Sequence, residues 1–369
     1  MPEKKTIMLY INSLGKGGAE RVFVQLAERF ARNGYRSVLV TSFVDETWEY
    51  PVSEQVERIS IFRDRMGGSK IGRNRALIKE LRSLCKKFRP ALLVSCMEEP
   101  NFRAVLASRG LKIKTLVSVC NAPEKEYAGK LGFVVGKILM PMADGCVFQT
   151  PEEKAWFPER LQKKSRIICN QVSETFFDVH HTGERKNIVS VGRLNPQKNQ
   201  AVMINAFSRI ADRTDENLLI YGEGEMRGSL QRQIDGLGLG ERVKLMGQSG
   251  NIAEDIKGAK LFVMSSDYEG LPNALLEAMA LGLPCISTDC AGGGPAMVID
   301  SGVNGILYPI GDEAALAENM LRLLENEEAA AKLGQNARET AEKFRPEPIF
   351  AEWCGYVEKI ISENGEPNG

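Results

Sequence analysis

Histidine is nearly missing from this 369-residue chain: there are two, His180 and His181, side by side in a polar stretch. That removes most imidazole-based catalysis and most zinc sites from consideration. No two of the eight cysteines form a Cys-x-x-Cys pair, so they read as reduced, mostly buried thiols of a cytoplasmic protein. No Asp-x-Asp pair is present to hold a metal. No apolar run can span a bilayer: the nearest, Leu131–Ala143, is interrupted by Lys137 and Pro141. Met1–Thr6 is charged and the apolar run Ile7–Ile11 has only five residues, so no signal peptide is expected. Net charge is also absent, with 48 Lys and Arg against 48 Asp and Glu.

A hydrophobic content of 43% and a charged content of 26% are those of a soluble globular protein. The length exceeds one ordinary core, so two domains are expected. The charge is unevenly spread: residues 1–181 carry a net +10 and residues 182–369 a net −10. A basic N-terminal half prefers an anionic partner: nucleic acid, acidic lipid or a diphosphate.

The first half alternates strand and helix patterns. Strands are expected at Ile7–Ile11, Ser37–Thr41, Ala91–Cys96, Thr115–Val119 and Gly145–Gln149, with helices at Ala19–Asn33 and Ile71–Phe88. A polar boundary falls near Val172–Lys186. The alternation then restarts, with strands at Asn187–Val191, Asn217–Tyr221, Val243–Met246, Leu261–Met264 and Pro284–Thr288. Helices are expected at Gln200–Ala211, Glu225–Leu237, Ile252–Lys257, Asp312–Asn326, Glu327–Phe344 and Pro348–Ile361. This is an α/β pattern of two doubly wound parallel sheets, which bind ligands at the C-terminal ends of their strands.

The most informative stretch runs from Glu269 through Gly-Leu-Pro-Asn-Ala-Leu-Leu to Glu277. Pro272 suits a first helical position, leaving Glu269 on the loop before the helix. Glu277 is the only charged residue from Ala274 to Leu283. A helix this apolar is normally buried, and a carboxylate in it is costly unless something binds it. The free N–H groups at Gly270–Asn273 suit a phosphate. Two carboxylates beside an anion site fit a ligand with both hydroxyls and phosphates, such as a nucleotide-sugar. The alternatives are a buried Glu277 with a structural Arg partner and a helix-capping Glu269.

Gly15-Lys-Gly17-Gly18 follows the first strand, but Glu20 occupies the third glycine position of a dinucleotide fingerprint. Arg193 and Lys198, five apart on a loop after Gly192, can converge on one anion, the Arg as a fork and the Lys as a point charge. Exposed surface cations are the alternative. Gly222-Glu223-Gly224 and Gly292-Gly293-Gly294 are further strand-end glycine loops.

Together these positions resemble glycosyltransferase family 4, the large retaining class with the GT-B fold of two Rossmann-like domains and an interdomain cleft. The resemblance rests on Gly17-Gly18-Ala19-Glu20, Gly192-Arg193-Leu194 with Lys198-Asn199, Gly222-Glu223-Gly224, and Glu269 to Glu277 with Gly282 and Pro284. It implies an acceptor-binding domain over 1–175 and a donor-binding domain over 185–347, with a last helix at about 348–363 packing back on the first. Arg193 and Lys198 would bind the donor diphosphate, Glu277 the ribose and Glu269 the transferred sugar. Gly192, Glu223 and the N–H groups of Gly270, Leu271 and Asn273 would complete the donor site. Gly17 and Gly18 would approach the ligand from the other domain.

Val117-Ser-Val-Cys120-Asn121-Ala-Pro123 and Ala143-Asp-Gly-Cys-Val-Phe-Gln-Thr150 resemble bacterial members extending capsular or undecaprenyl-diphosphate-linked glycans, often from UDP-sugars. Such members usually carry Arg at the position of Cys120, and many place a His in the N-terminal domain. No His precedes position 180 here. The implied activity moves a hexose or N-acetylhexosamine from a UDP-sugar to a glycan or polyprenyl-diphosphate acceptor, without a metal cofactor. Asn121 is a candidate acceptor contact.

The stretch Arg63–Arg89 holds ten Lys and Arg, including Arg65, Arg73, Arg75 and Lys79, against Asp64 and Glu80. Such a helix can lie on the inner face of the cytoplasmic membrane or hold a lipid diphosphate; a solvated helix packed by its apolar face is the alternative. No base-stacking aromatics interleave the run, so nucleic acid is not expected. A same-fold epimerase or phosphorylase lacks its expected signature. A catalytically silent glycan- or lipid-binding protein is the remaining alternative.

Overall fold

The computed structural model describes residues 4–15, 17–45, 48–64 and 67–362. Lys16, Arg65 and the tail from 363 therefore lie outside the described residues. The chain divides into two compact units, Met1–Cys169 with Ile349–Gly369, and Asn170–Pro348.

The first unit is built on seven parallel strands: β1 Thr6–Ile11, β2 Arg36–Thr41, β3 Glu57–Ser60, β4 Leu92–Cys96, β5 Lys114–Ser118, β6 Gly145–Phe148 and β7 Ser165–Ile167. Their order is β3-β2-β1-β4-β5-β6-β7. Ile7 stands opposite Ser37 on one side and Leu92 on the other. Ile7, Met8, Leu9, Tyr10 and Ile11 are all fully buried, as a parallel strand covered on both faces requires. The edge strands β3 and β7 escape the sequence pattern because Glu-Arg-Ile-Ser and Ser-Arg-Ile contain no apolar run; short polar edges also resist pairing with other chains.

The helix Glu98–Ser108 was also illegible, because its buried face carries Asn101 and Arg103. Arg103 is buried and fully engaged. Its guanidinium donates to Asn12 Oδ1 at 2.7 Å, Asn74 Oδ1 at 2.8 Å and Glu99 Oε2 at 2.5 Å. The final helix, Pro346–Ser362, belongs to this unit from Ile349 onward. Phe350 meets Phe30 edge-on at 5.3 Å, and the Tyr356 hydroxyl donates to the Lys164 carbonyl at 2.5 Å and accepts from the Cys146 N–H at 3.1 Å.

The second unit has six parallel strands: β8 Ile188–Val191, β9 Leu218–Tyr221, β10 Val243–Gly247, β11 Leu261–Met264, β12 Cys285–Asp289 and β13 Ile306–Pro309, in the order β10-β9-β8-β11-β12-β13. Ile204, Phe207, Leu316 and Met320, from the helices Gln200–Ser208 and Glu313–Leu324, fill the core on one face. The chain winds from β8 to β9 and β10, then crosses to β11 on the other side of β8. The switch point of this sheet therefore lies between β8 and β11. Among the described residues no helix is long and apolar enough to cross a membrane.

Candidate active site

At a switch point the loops leaving two adjacent strands diverge and open a crevice. Here the loop after β8 carries Gly192, Arg193 and Lys198, and the loop after β11 carries Glu269. The two loops are stitched together. The Asp267 N–H donates to the Gln197 carbonyl at 2.9 Å, the Gln197 side chain donates to the Tyr268 carbonyl at 2.8 Å, and Asn199 donates to Asp267 Oδ1 at 2.8 Å. Asn195 Oδ1 accepts from the Lys198 N–H at 3.2 Å and closes the short 3-10 turn Pro196–Lys198.

That stitching brings the Lys198 ammonium onto Glu269 Oε1 as an ion pair. The Ser266 hydroxyl donates to the same oxygen at 2.6 Å. Glu269 is 6% exposed, so its charge depends on these partners rather than on water. The aliphatic stem of Lys198 runs beside Gly192, where an added Cβ would stand at ordinary contact distance, 3.5 Å.

Two further strand ends close in. The Glu269 N–H donates to the Ala291 carbonyl at 2.9 Å, on the loop after β12. A Cβ on Gly294 would stand 1.6 Å from the Gly270 carbonyl oxygen. Only glycine lets these two backbones meet. On the other side, the Leu194 N–H donates to the Glu223 carbonyl at 2.9 Å. A Cβ on Gly222 would stand 1.9 Å from the Gly192 carbonyl oxygen. Burial, aided by the Glu269 charge, pushes the Cys290 thiol up to about 12, so it is a neutral wall of the site.

The apolar helix spans Asn273–Ala280. Pro272 stands one position outside it, with ψ 111°, and its carbonyl accepts from Leu275 and Leu276 at 3.1 and 3.2 Å. The helix thus starts one residue later than its proline implied. The N–H groups of Gly270 and Asn273 donate to no acceptor among the described residues. The side-chain oxygen of Asn273 is buried without a partner. Asn170 donates to the Leu271 carbonyl at 3.3 Å and fixes the turn. Glu277 is 6% exposed on this helix. The Arg338 guanidinium holds the far end through the Ala280 carbonyl at 2.9 Å.

Arg193 is exposed, and its guanidinium has no hydrogen-bond or ion-pair partner among the described residues, although Gln200 pins its carbonyl at 2.8 Å. The Glu223 carboxylate pairs with Arg227 at 2.8 Å. In the first unit, Gly17 caps the helix Gly18–Arg32, and Asn121 Oδ1 accepts from the Ala122 N–H at 2.9 Å. Arg73, Arg75 and Lys79 lie exposed on the helix Lys70–Phe88. Sequence reasoning missed Ser266, Gln197 and the Asn199–Asp267 pair. The only signal was a run of short polar residues, Ser265-Ser266-Asp267, at a strand end. Among the described residues no group of three or more His, Cys, Asp or Glu side chains could hold a metal ion.

Comparison with known proteins bears on the chain as a whole. The chain is 25% identical over 363 residues to a Campylobacter jejuni N-acetylgalactosaminyltransferase named for a diphospho-undecaprenol-linked glycan, covering 97% of this chain and 98% of that one. Two solved structures share the fold. Sucrose-phosphate synthase from Thermosynechococcus elongatus superposes with a TM-score of 0.84 at 20% identity, covering 98% and 100% of the two chains. Anabaena HepE, solved with UDP and glucose, gives 0.82 at 17% identity, covering 95% and 99%. Residues 16–175 match the family described as Glycosyltransferase Family 4, and residues 172–340 the family described as Glycosyl transferases group 1. With both halves matched and the GT-B fold in place, the chain belongs to the glycosyltransferases, its first half a Family 4 domain and its second a group 1 domain.

Proposed function

We propose that this protein is a retaining glycosyltransferase of bacterial surface-glycan assembly. It moves a hexose or N-acetylhexosamine from a UDP-sugar to a glycan or polyprenyl-diphosphate-linked acceptor. The observation that carries the reading is the Lys198–Glu269 ion pair at the switch point, beside a helix that begins with open N–H groups and buries Glu277. The C. jejuni relative is named for an undecaprenol-linked acceptor and HepE is solved with UDP, which supports the choice of acceptor and donor class.

In this reading the diphosphate lies against the Gly270 and Asn273 N–H groups, with Lys198 on one side and Arg193 swinging in from solvent. Glu277 takes the ribose hydroxyls and Glu269 orients the transferred sugar. The bond from the sugar's anomeric carbon to the diphosphate oxygen breaks, and the acceptor oxygen bonds to that carbon on the same face. The departing diphosphate takes the acceptor's proton. The protein supplies positioning and stabilises the charge that develops on the leaving group. Gly17 and Gly18 are assigned to the donor phosphates and the acceptor, and Asn121 to the acceptor.

Calorimetric titration with UDP-, GDP- and ADP-linked sugars tests this. One UDP-sugar should bind, and Glu277→Ala should abolish that binding. Failure of every nucleotide-sugar to bind would overturn the assignment of the donor site.

A further inference from the structure

The segment joining β5 to β6 is apolar on both sides: Val135 and Met140 are buried in the core, and other large apolar side chains face outward. It comprises the helix Gly129–Val134, a π-helical turn Val135–Leu139 and a 3-10 turn Met140–Met142. A surface helix normally turns its large apolar residues inward. Here two inward positions are Gly132 and Gly136, both buried. A Cβ on Gly132 would stand 2.4 Å from the Tyr127 carbonyl carbon, and one on Gly136 2.6 Å from the Trp156 ring. The glycines let the backbone settle onto these two aromatics while Val135 and Met140 fill the core beside them, and a further set of large side chains is left facing out. Leu131, Phe133, Val134, Ile138 and Met142 are 64, 56, 40, 58 and 38% exposed. Leu131, Val134 and Ile138 fall at i, i+3 and i+7, so they form one stripe. No other segment of the described residues gathers as many exposed large apolar side chains. A contiguous apolar patch of this kind marks an interaction surface.

The surroundings of the stripe identify the partner. The helix Glu98–Ser108 packs against both this segment and the basic helix Lys70–Phe88. All three connect strands that step the same way across the sheet, so right-handed crossovers put them in one layer on one face. On the basic helix Arg75, Lys79, Lys86 and Lys87 are exposed, and Ile71 is 74% exposed in its first turn. Within the apolar segment, Lys130 is exposed and Lys137 lies over the Trp156 ring, 3.7 Å from its centroid. One layer thus presents apolar side chains at one end and cations at the other. A surface that is apolar in depth and anionic at its rim matches both.

We propose that residues 129–142 dock on an anionic phospholipid leaflet, with Leu131, Val134 and Ile138 inserted below the headgroups and the Lys70–Phe88 cations resting on them. The inference rests on the reading that the acceptor is lipid-linked. It assigns the depth of contact to a segment that charge alone would not single out.

Vesicle flotation of the full-length protein tests it, using phosphatidylcholine vesicles with and without phosphatidylglycerol. The parent should float with the anionic vesicles. Leu131→Ser with Ile138→Ser should weaken partitioning on the order of tenfold or more. Both side chains are exposed, so thermal melting of the pair variant should match the parent. Arg73→Glu, Arg75→Glu and Lys79→Glu together should remove the dependence on anionic lipid and salt. No flotation of the parent, or a pair variant that partitions within about twofold of it, would overturn the proposal. So would a pair variant whose light-scattering mass changes while flotation does not, since the stripe would then contact a second copy. UDP titration of the same proteins is independent of lipid. A parent that floats but binds no nucleotide would sink the enzymatic reading and leave the docking face standing.

Discussion

Lys198 and Glu269 lie 71 positions apart in sequence and are joined in an ion pair at the switch point of the second sheet, with Ser266 donating to the same carboxylate oxygen at 2.6 Å. Removing Lys198 leaves the buried Glu269 charge without its cation, which typically costs about 3–5 kcal/mol. Removing Glu269 leaves the half-buried Lys198 without its carboxylate, which costs less. Lys198→Met and Glu269→Gln should therefore each lower the thermal midpoint, and each should lower turnover by roughly 10²–10³. The double variant should regain most of the stability without regaining turnover. Recovery of both would mean that the pair only holds loops together.

Gly294 tests the backbone contact independently of charge. Gly294→Ala places a methyl group 1.6 Å from the Gly270 carbonyl oxygen, so the Gly270–Leu271 turn must move. Donor binding should weaken by about tenfold or more, with a stability loss of about 1–3 kcal/mol. Gly236→Ala is the control. It ends the helix Arg227–Gly236 and meets nothing within 4 Å. It should leave donor binding unchanged.

Glu126 gives the first unit a pH dependence. Burial holds its carboxyl up at about 7, with one oxygen buried and unpartnered and the other accepting from the Glu98 N–H at 2.8 Å. The folded chain therefore keeps this proton at pH values where the unfolded chain has lost it. Stability should fall as pH rises from about 4.5 to 7, then level off above that. Glu126→Gln should flatten this slope and be the more stable protein at pH 8, by an amount on the order of 1–3 kcal/mol. Denaturant melts across that range decide it.

Arg103 is the structural counterpart in the first unit. It ties the ends of β1 and β2 to two helices through Asn12, Ser42, Asn74 and Glu99. Arg103→Met leaves the part-exposed Glu99 carboxylate with Lys70 and takes a donor from Asn12 and Asn74, so it should cost about 1–3 kcal/mol. Arg103→Lys cannot reproduce the planar fork and should recover less than half of that. Urea midpoints of the three proteins measure both.

The strands that carry the two sheets were legible because buried parallel strands are continuous apolar runs, and Ile7–Ile11 and Leu261–Met264 are of that kind. Glu269 and Glu277 stood out for the opposite reason: a carboxylate in apolar sequence needs a partner. The edge strands Glu57–Ser60 and Ser165–Ile167 pair on one side only, so nothing in their composition marks them. The helix Glu98–Ser108 hid behind an inward-facing Arg and Asn. Gln197 was invisible because its work is to join two loops that meet only when β8 and β11 become neighbours, and Ser266 because a lone serine at a strand end carries no pattern. Arg193 had the right chemistry in sequence, and in the structure its guanidinium stands exposed with no partner among the described residues.

The last helix has a consequence for how the protein is made. Phe350 and Tyr356 complete the unit to which Phe30, Cys146 and Lys164 belong, so the second unit is an insertion in the first. On the ribosome, the first sheet emerges early but waits for the final helix before its core is closed. Asn170–Pro348 is contiguous and can fold during that wait. Of the two units, the one synthesised first is thus the one whose core closes last, and until then the flank that Phe350 and Tyr356 cover stays open.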